Sequence, residues 1–121
     1  MTTSRPDIVF KIAPRAEWET ACRAGRYDGS LADIRDGFIH LSARHQLAGT
    51  AAKHFRAIPD LLLIAFEVRR LGSTLKWEPS RGGELFPHVY GTLDPAAALW
   101  TRPLPLDAAG VAILPEEAAG C

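Results

Sequence analysis

Apolar positions along this chain come in short blocks, and their period changes from block to block. Ile8 to Ile12 (IVFKI) predicts a first strand, closed by Pro14. Trp18, Ala21 and Cys22 then recur at helical spacing, which predicts a helix from Arg15 to Ala24 with Gly25 as its stop. Arg26 to Asp36 is broken by Asp28-Gly29-Ser30 and Asp36-Gly37 and reads as turns. Phe38 to Leu41 predicts a second strand. Ser42 is placed to cap a helix from Ala43 to about Ala57, with Leu47, Ala51, Phe55 and Ile58 as its apolar stripe. Leu61 to Val68 is short and apolar apart from Glu67, the pattern of a central strand buried on both faces. Leu75 to Glu78 and Leu85 to Tyr90 read as two more strands, and Asp94-Pro95 opens a helical turn through Ala98. The tail, interrupted by Pro103, Pro105 and Pro115, reads as irregular, with Val111 to Leu114 as a last strand. Helices and strands mix without strict alternation, so the expected class is α+β rather than a doubly wound sheet.

At 121 residues the chain is expected to form one domain, 1–121. Lys plus Arg and Asp plus Glu number 14 each. A chain of zero net charge has no global attraction to nucleic acid or to an anionic membrane, and it lacks a nucleic-acid footprint. Any anion must be held by a local cluster. The 2 cysteines, Cys22 and Cys121, are too few for a disulfide framework or a cysteine-only zinc site, and Cys22 is expected to be a small buried residue. The start, MTTSRPD, lacks the apolar core of a signal peptide, and no apolar run approaches the ~20 residues of a membrane span. The expected compartment is the cytoplasm.

Candidate chemistry concentrates in Lys76 to Gly91, KWEPSRGGELFPHVYG. Few scaffold segments place so many ionisable and aromatic side chains around a Gly82-Gly83 turn. If Glu84 to Tyr90 is extended, Glu84, Phe86, His88 and Tyr90 share one face and Leu85, Pro87 and Val89 the other. Pro87 cannot donate to a ladder, so this strand is expected at an edge or beside a cleft. Trp77 and Phe86 offer ring faces for stacking on a base. Arg81 beside two glycines can fork onto a phosphate or carboxylate. Upstream, FIHLS places Phe38, His40 and Ser42 on one face and Ile39 and Leu41 on the core face. An imidazole in an apolar strand can donate, accept or titrate near neutral pH. His40, Glu78 and His88 are the candidate catalytic residues. Ser42, Trp77, Arg81, Glu84 and Tyr90 are the candidate ligand contacts. No histidine pair has HxH or HExxH spacing, so no metal site is expected.

The stretches IVFKI, WETACRAGRY, GFIHLS and LKWEPSRGGELFPHVYG together resemble a bacterial family known as domain of unknown function 952, over residues 7–115. The resemblance implies a fold similar to ADP-ribosyltransferases, with split β-sheets around a cleft and a few short helices. It also implies NAD or a related nucleotide as the ligand. In such a cleft His40 would hold a ribose hydroxyl, Trp77 or Tyr90 would stack on a ring, and Glu78 or Glu84 would polarise the ribose. The alternative is a non-catalytic module that binds a small anionic ligand through the same residues.

Overall fold

A computed structural model of the chain describes residues 7–116 and, of Arg81, the backbone alone. The architecture is α+β, with two antiparallel three-stranded sheets. The first sheet has the order β1-β3-β6, from Ile8–Pro14, Leu61–Glu67 and Ala98–Leu104. The second has the order β2-β5-β4, from Ile39–His40, Leu85–Val89 and Leu75–Pro79. The helices are α1 (Arg15–Ala24), α2 (Leu31–Asp36), α3 (Leu47–His54) and the single turn α4 (Val68–Leu71). None of them is long and apolar enough to cross a membrane.

Alternation along β1 and β3 divides the core into two layers. Val9, Ala13, Leu62, Ile64 and Phe66 face one way and pack with Trp18 and Ala21 of α1 and with Ile39, Leu41 and Val89 around the second sheet. Phe10, Ile12, Leu61, Leu63 and Ala65 face the other way and pack on Leu47 and Ala51 of α3. The apolar run of β3 is therefore buried on both faces, as its composition demands. The sheets meet where Phe10 and Ser42 exchange backbone hydrogen bonds of 2.8 and 2.9 Å.

Several expectations need correction. The segment read as turns contains α2. Ser30 accepts from the Asp33 N–H, and Asp33 returns the bond to the Ser30 N–H, closing a capping box. Ser42 caps no helix: its hydroxyl meets Thr50 at 3.1 Å, and a 3-10 turn, Arg44–Gln46, separates it from the shorter α3. Ile58 is exposed, past the helix end. The tail forms a full strand, β6, at the edge of the first sheet, where Pro103 is tolerated. Val111 to Leu114 contributes only one bridge, Leu106 to Ala112. Cys22 lies on the exposed side of α1, and Cys121 lies outside the described residues.

The strand carrying Pro87 is the middle of its sheet, not the edge. The proline still has its expected effect, because β2 pairs with β5 only at Ile39–Val89 and His40–His88. At the next pair Leu41 donates to the Pro87 carbonyl, and Pro87 has no N–H to return. Beyond it the strand edge is finished by Gln46, which donates to the Leu85 carbonyl at 2.7 Å.

Candidate functional site

Three strands and one short helix build the site. Register places Lys76, Glu78, Phe86, His88 and His40 on the face of the second sheet turned away from Leu75, Val89, Ile39 and Leu41. Phe38, at the entry to β2, stacks on His88 with ring centroids 4.1 Å apart. It also touches His40 and Tyr90, at 4.7 and 5.3 Å. The two imidazoles meet edge to face at 5.5 Å.

Each imidazole is held by a carboxylate through Nδ1. His88, almost wholly buried, meets Glu78 Oε1 at 2.8 Å. Tyr90 donates its hydroxyl to the same carboxylate, at 2.8 and 3.0 Å from its two oxygens. The hydrogen bond with His88, then that from Tyr90, holds the Glu78 carboxyl below its usual range. The same bond to Glu78 raises the Tyr90 phenol.

His40 meets Asp33 Oδ1 at 2.6 Å through Nδ1, and Asp36 Oδ2 lies 3.0 Å from its Nε2. Asp33 is 2% exposed, and four donors use its full acceptor capacity. Oδ1 takes the His40 ring and the His40 N–H, while Oδ2 takes the Ser30 N–H and Lys11 Nζ at 2.8 Å. Lys11 occupies a core-facing slot of β1 between Val9 and Ala13, and it also donates to the His40 carbonyl. Burial pushes the Asp33 carboxyl up. The His40 hydrogen bond, Lys11 and Ser30 outweigh that and hold it well below the usual carboxylate range. Nearby Tyr27 is pushed above the ordinary phenol range by burial and then by the Asp33 charge.

Gly29 makes this packing achievable. At φ +108° it occupies backbone space that favours glycine, and a Cβ there would stand 2.7 Å from the Asp33 Cβ. Gly29→Ala is expected to cost about 1–3 kcal/mol through strain and displacement of Asp33. Chemical denaturation checks it: the midpoint should fall, and an unchanged midpoint would mean that the loop yields freely.

Of the expected residues, His40, Glu78, His88 and Tyr90 come together. Trp77 does not: adjacent to Glu78 on β4, it points to the opposite face and packs against the first core layer. Glu84 reaches His45 at the surface, and Ser42 faces Thr50. The Arg81 side chain lies outside the described residues. Phe38 joins the four that come together from the face it shares with His40 in FIHLS, and Lys11, Asp33 and Asp36 lie beside them although their residue types gave no motif. One local signal was available, since Ser30-x-x-Asp33 is a helix-capping pattern that places Asp33 one turn into a helix. Among the described residues no three His, Cys, Asp or Glu side chains group as ligands for a metal ion.

Comparison with known proteins adds the family but no chemistry. The crystal structure of protein CC0527 from Caulobacter crescentus is similar at 48% identity and a TM-score of 0.89, covering 93% of this chain and 98% of that one. The solution structure of CC0527 is similar at 49% identity and a TM-score of 0.79, covering 88% and 91%. A comparison with the curated proteins gives no match. The family model described as protein of unknown function (DUF952) matches residues 12–101, and the chain belongs to that family.

Proposed function

We propose that the face carrying His40, His88, Glu78 and Tyr90 binds NAD or a related nucleotide and transforms it by acid–base chemistry, as an ADP-ribosyltransferase-like cleft would. The observation that carries this reading is the opposition of His40 and His88, rings 5.5 Å apart, each held at Nδ1 by a carboxylate. His88, oriented through Nδ1, keeps Nε2 for a ligand, and His40 offers its own once a ligand oxygen displaces Asp36, so the two can serve one reacting group. Phe38 and Tyr90 supply ring surface in place of Trp77. A carboxylate such as Glu78 near the ribose stabilises positive charge developing at the glycosidic carbon. Arg81, beside the Gly82-Gly83 turn, is assigned to the pyrophosphate.

Calorimetry against NAD, ADP-ribose and simple nucleotides, together with an assay of nicotinamide release, tests the reading. Binding is expected at or below millimolar concentration. Arg81→Ala is expected to weaken it tenfold to a hundredfold, the value of a charge-assisted hydrogen bond of about 1.5–3 kcal/mol. If no nucleotide binds at millimolar concentration, the reading fails. A second reading, a non-catalytic module for a small anionic ligand, is favoured by Asp36, whose carboxylate oxygen already sits on His40 Nε2 where a ligand oxygen can replace it. Binding with no turnover identifies that case.

A further inference from the structure

The second sheet carries three nitrogen bases in one transverse row. Lys76 on β4 is the register partner of His88 on β5, and His88 is the partner of His40 on β2. Partners directly opposite one another project to the same face. The Leu41–Pro87 pair carries a ladder hydrogen bond, and bonded and non-bonded pairs alternate, so His40–His88 is a non-bonded pair, the closer kind. Lys76 is exposed, and its charge acts on Glu78, next to the imidazoles.

The surroundings give the two histidines different roles. Both ring nitrogens of His40 face carboxylate oxygens, which only accept: Nδ1 bonds Asp33, and Nε2 lies 3.0 Å from Asp36, so the surroundings place His40 as the donor. His88 has a carboxylate at Nδ1; with its proton there, Nε2 is an acceptor. A donor, an acceptor and an ammonium in one row match what phosphoryl transfer requires: protonation of the leaving oxygen, deprotonation of the nucleophile, and charge for the non-bridging oxygens.

We propose that the Lys76–His88–His40 row hydrolyses a phosphodiester bond in a small nucleotide, a nucleoside 2′,3′-cyclic phosphate being the substrate class. The inference rests on the nucleotide-binding reading above and adds to the same face a reaction at phosphorus, distinct from cleavage at the glycosidic carbon. A mononucleotide is favoured over a polymer because a chain with 14 cationic and 14 anionic residues has no basic track for a long backbone. Water adds to phosphorus while its proton passes to His88 Nε2. The bond from phosphorus to one ribose oxygen breaks, and that oxygen takes the proton from His40 Nε2, in the place held by Asp36. The product is a phosphomonoester, and solvent returns both histidines to their starting states. Lys76 faces the non-bridging oxygens throughout.

The test follows 2′,3′-cyclic AMP by phosphorus NMR with the wild-type protein, His40→Gln and Lys76→Ala. Wild type should yield adenosine 2′- or 3′-phosphate with a bell-shaped pH profile. His40→Gln should lower kcat about 10²–10⁴-fold. Lys76→Ala, at an exposed position that leaves the melting curve unchanged, should lower kcat/KM about tenfold to a hundredfold. Absence of monoester above the buffer blank overturns the inference, as does turnover that survives both substitutions. Release of nicotinamide from NAD without this hydrolysis leaves the nucleotide reading standing and removes only the phosphodiester step. Absence of any nucleotide binding removes both.

Discussion

Asp33→Ala should lower the thermal midpoint by on the order of 10–20 °C. The substitution removes the partner of Lys11, an ammonium only 5% exposed in a core-facing position of β1. Breaking a buried pair from one side typically costs about 3–5 kcal/mol, because the remaining charge stays desolvated. In a domain of this size each kcal/mol corresponds to several degrees. The same change removes the reciprocal bond of the Ser30 cap from a six-residue helix that could not stand alone, and it frees the His40 ring. Replacing both partners, Lys11→Met with Asp33→Leu, should recover most of the loss, since the desolvation cost disappears along with the attraction. The pH dependence has a definite sign. The folded Asp33 carboxyl is depressed below its unfolded value, so its contribution is complete above about pH 4–5 and is lost as pH falls toward the folded value. The gap between wild-type and Asp33→Ala midpoints should therefore be widest near neutrality and narrow in acid. A gap that widened in acid would contradict the ionised, paired Asp33.

Glu78→Gln should behave in the opposite way, with a large effect on turnover and a small one on the fold. Glu78 is a third exposed, on β4, so its loss leaves no sealed charge. As a carboxylate it accepts from the Tyr90 hydroxyl and the His88 ring together. Glutamine keeps one acceptor oxygen and turns the other position into a donor. Where that amide meets Nδ1 of His88, the ring proton moves to Nε2, and the nitrogen assigned as the acceptor becomes a donor. Loss of a positioned acid–base group costs about 10²–10⁴ in rate. Turnover of the nucleotide substrate should fall by that order while the denaturation midpoint stays close to wild type. Unchanged turnover would remove His88 from the chemistry and leave Glu78–His88–Tyr90 as a scaffold contact.

Local periodicity made five of the six strands readable, together with the faces within each: His40 opposite Ile39 and Leu41 on one, His88 opposite Pro87 and Val89 on another, because both follow from a period of two along a single segment. The same rule separates Trp77 from Glu78: adjacent strand residues cannot both face one ligand, and the aromatic one goes to the core. What local pattern could not supply was non-local pairing. Lys11 in IVFKI looks like a polar residue on an ordinary strand. Its slot between Val9 and Ala13 faces the core, and its partner lies 22 positions away on a helix hidden in a segment rich in turn residues. The strand Ala98–Leu104 was obscured by its own prolines, which an edge tolerates and an isolated sequence window does not reveal. The fold similar to ADP-ribosyltransferases remains a matter of the cleft chemistry proposed above, whereas the α+β class and the two sheets stand on the strand pairing itself.

Histidine side-chain NMR during titration with ADP-ribose addresses the site most directly. The chain has 4 histidines, which makes the ring signals assignable by single substitutions. His40 and His88 should shift together and saturably, with one common dissociation constant, while exposed His54, on the far end of α3, stays in place. If His40 and His88 are unmoved at saturating ligand, or if only the surface histidines respond, the face between α2 and the second sheet is not the binding site.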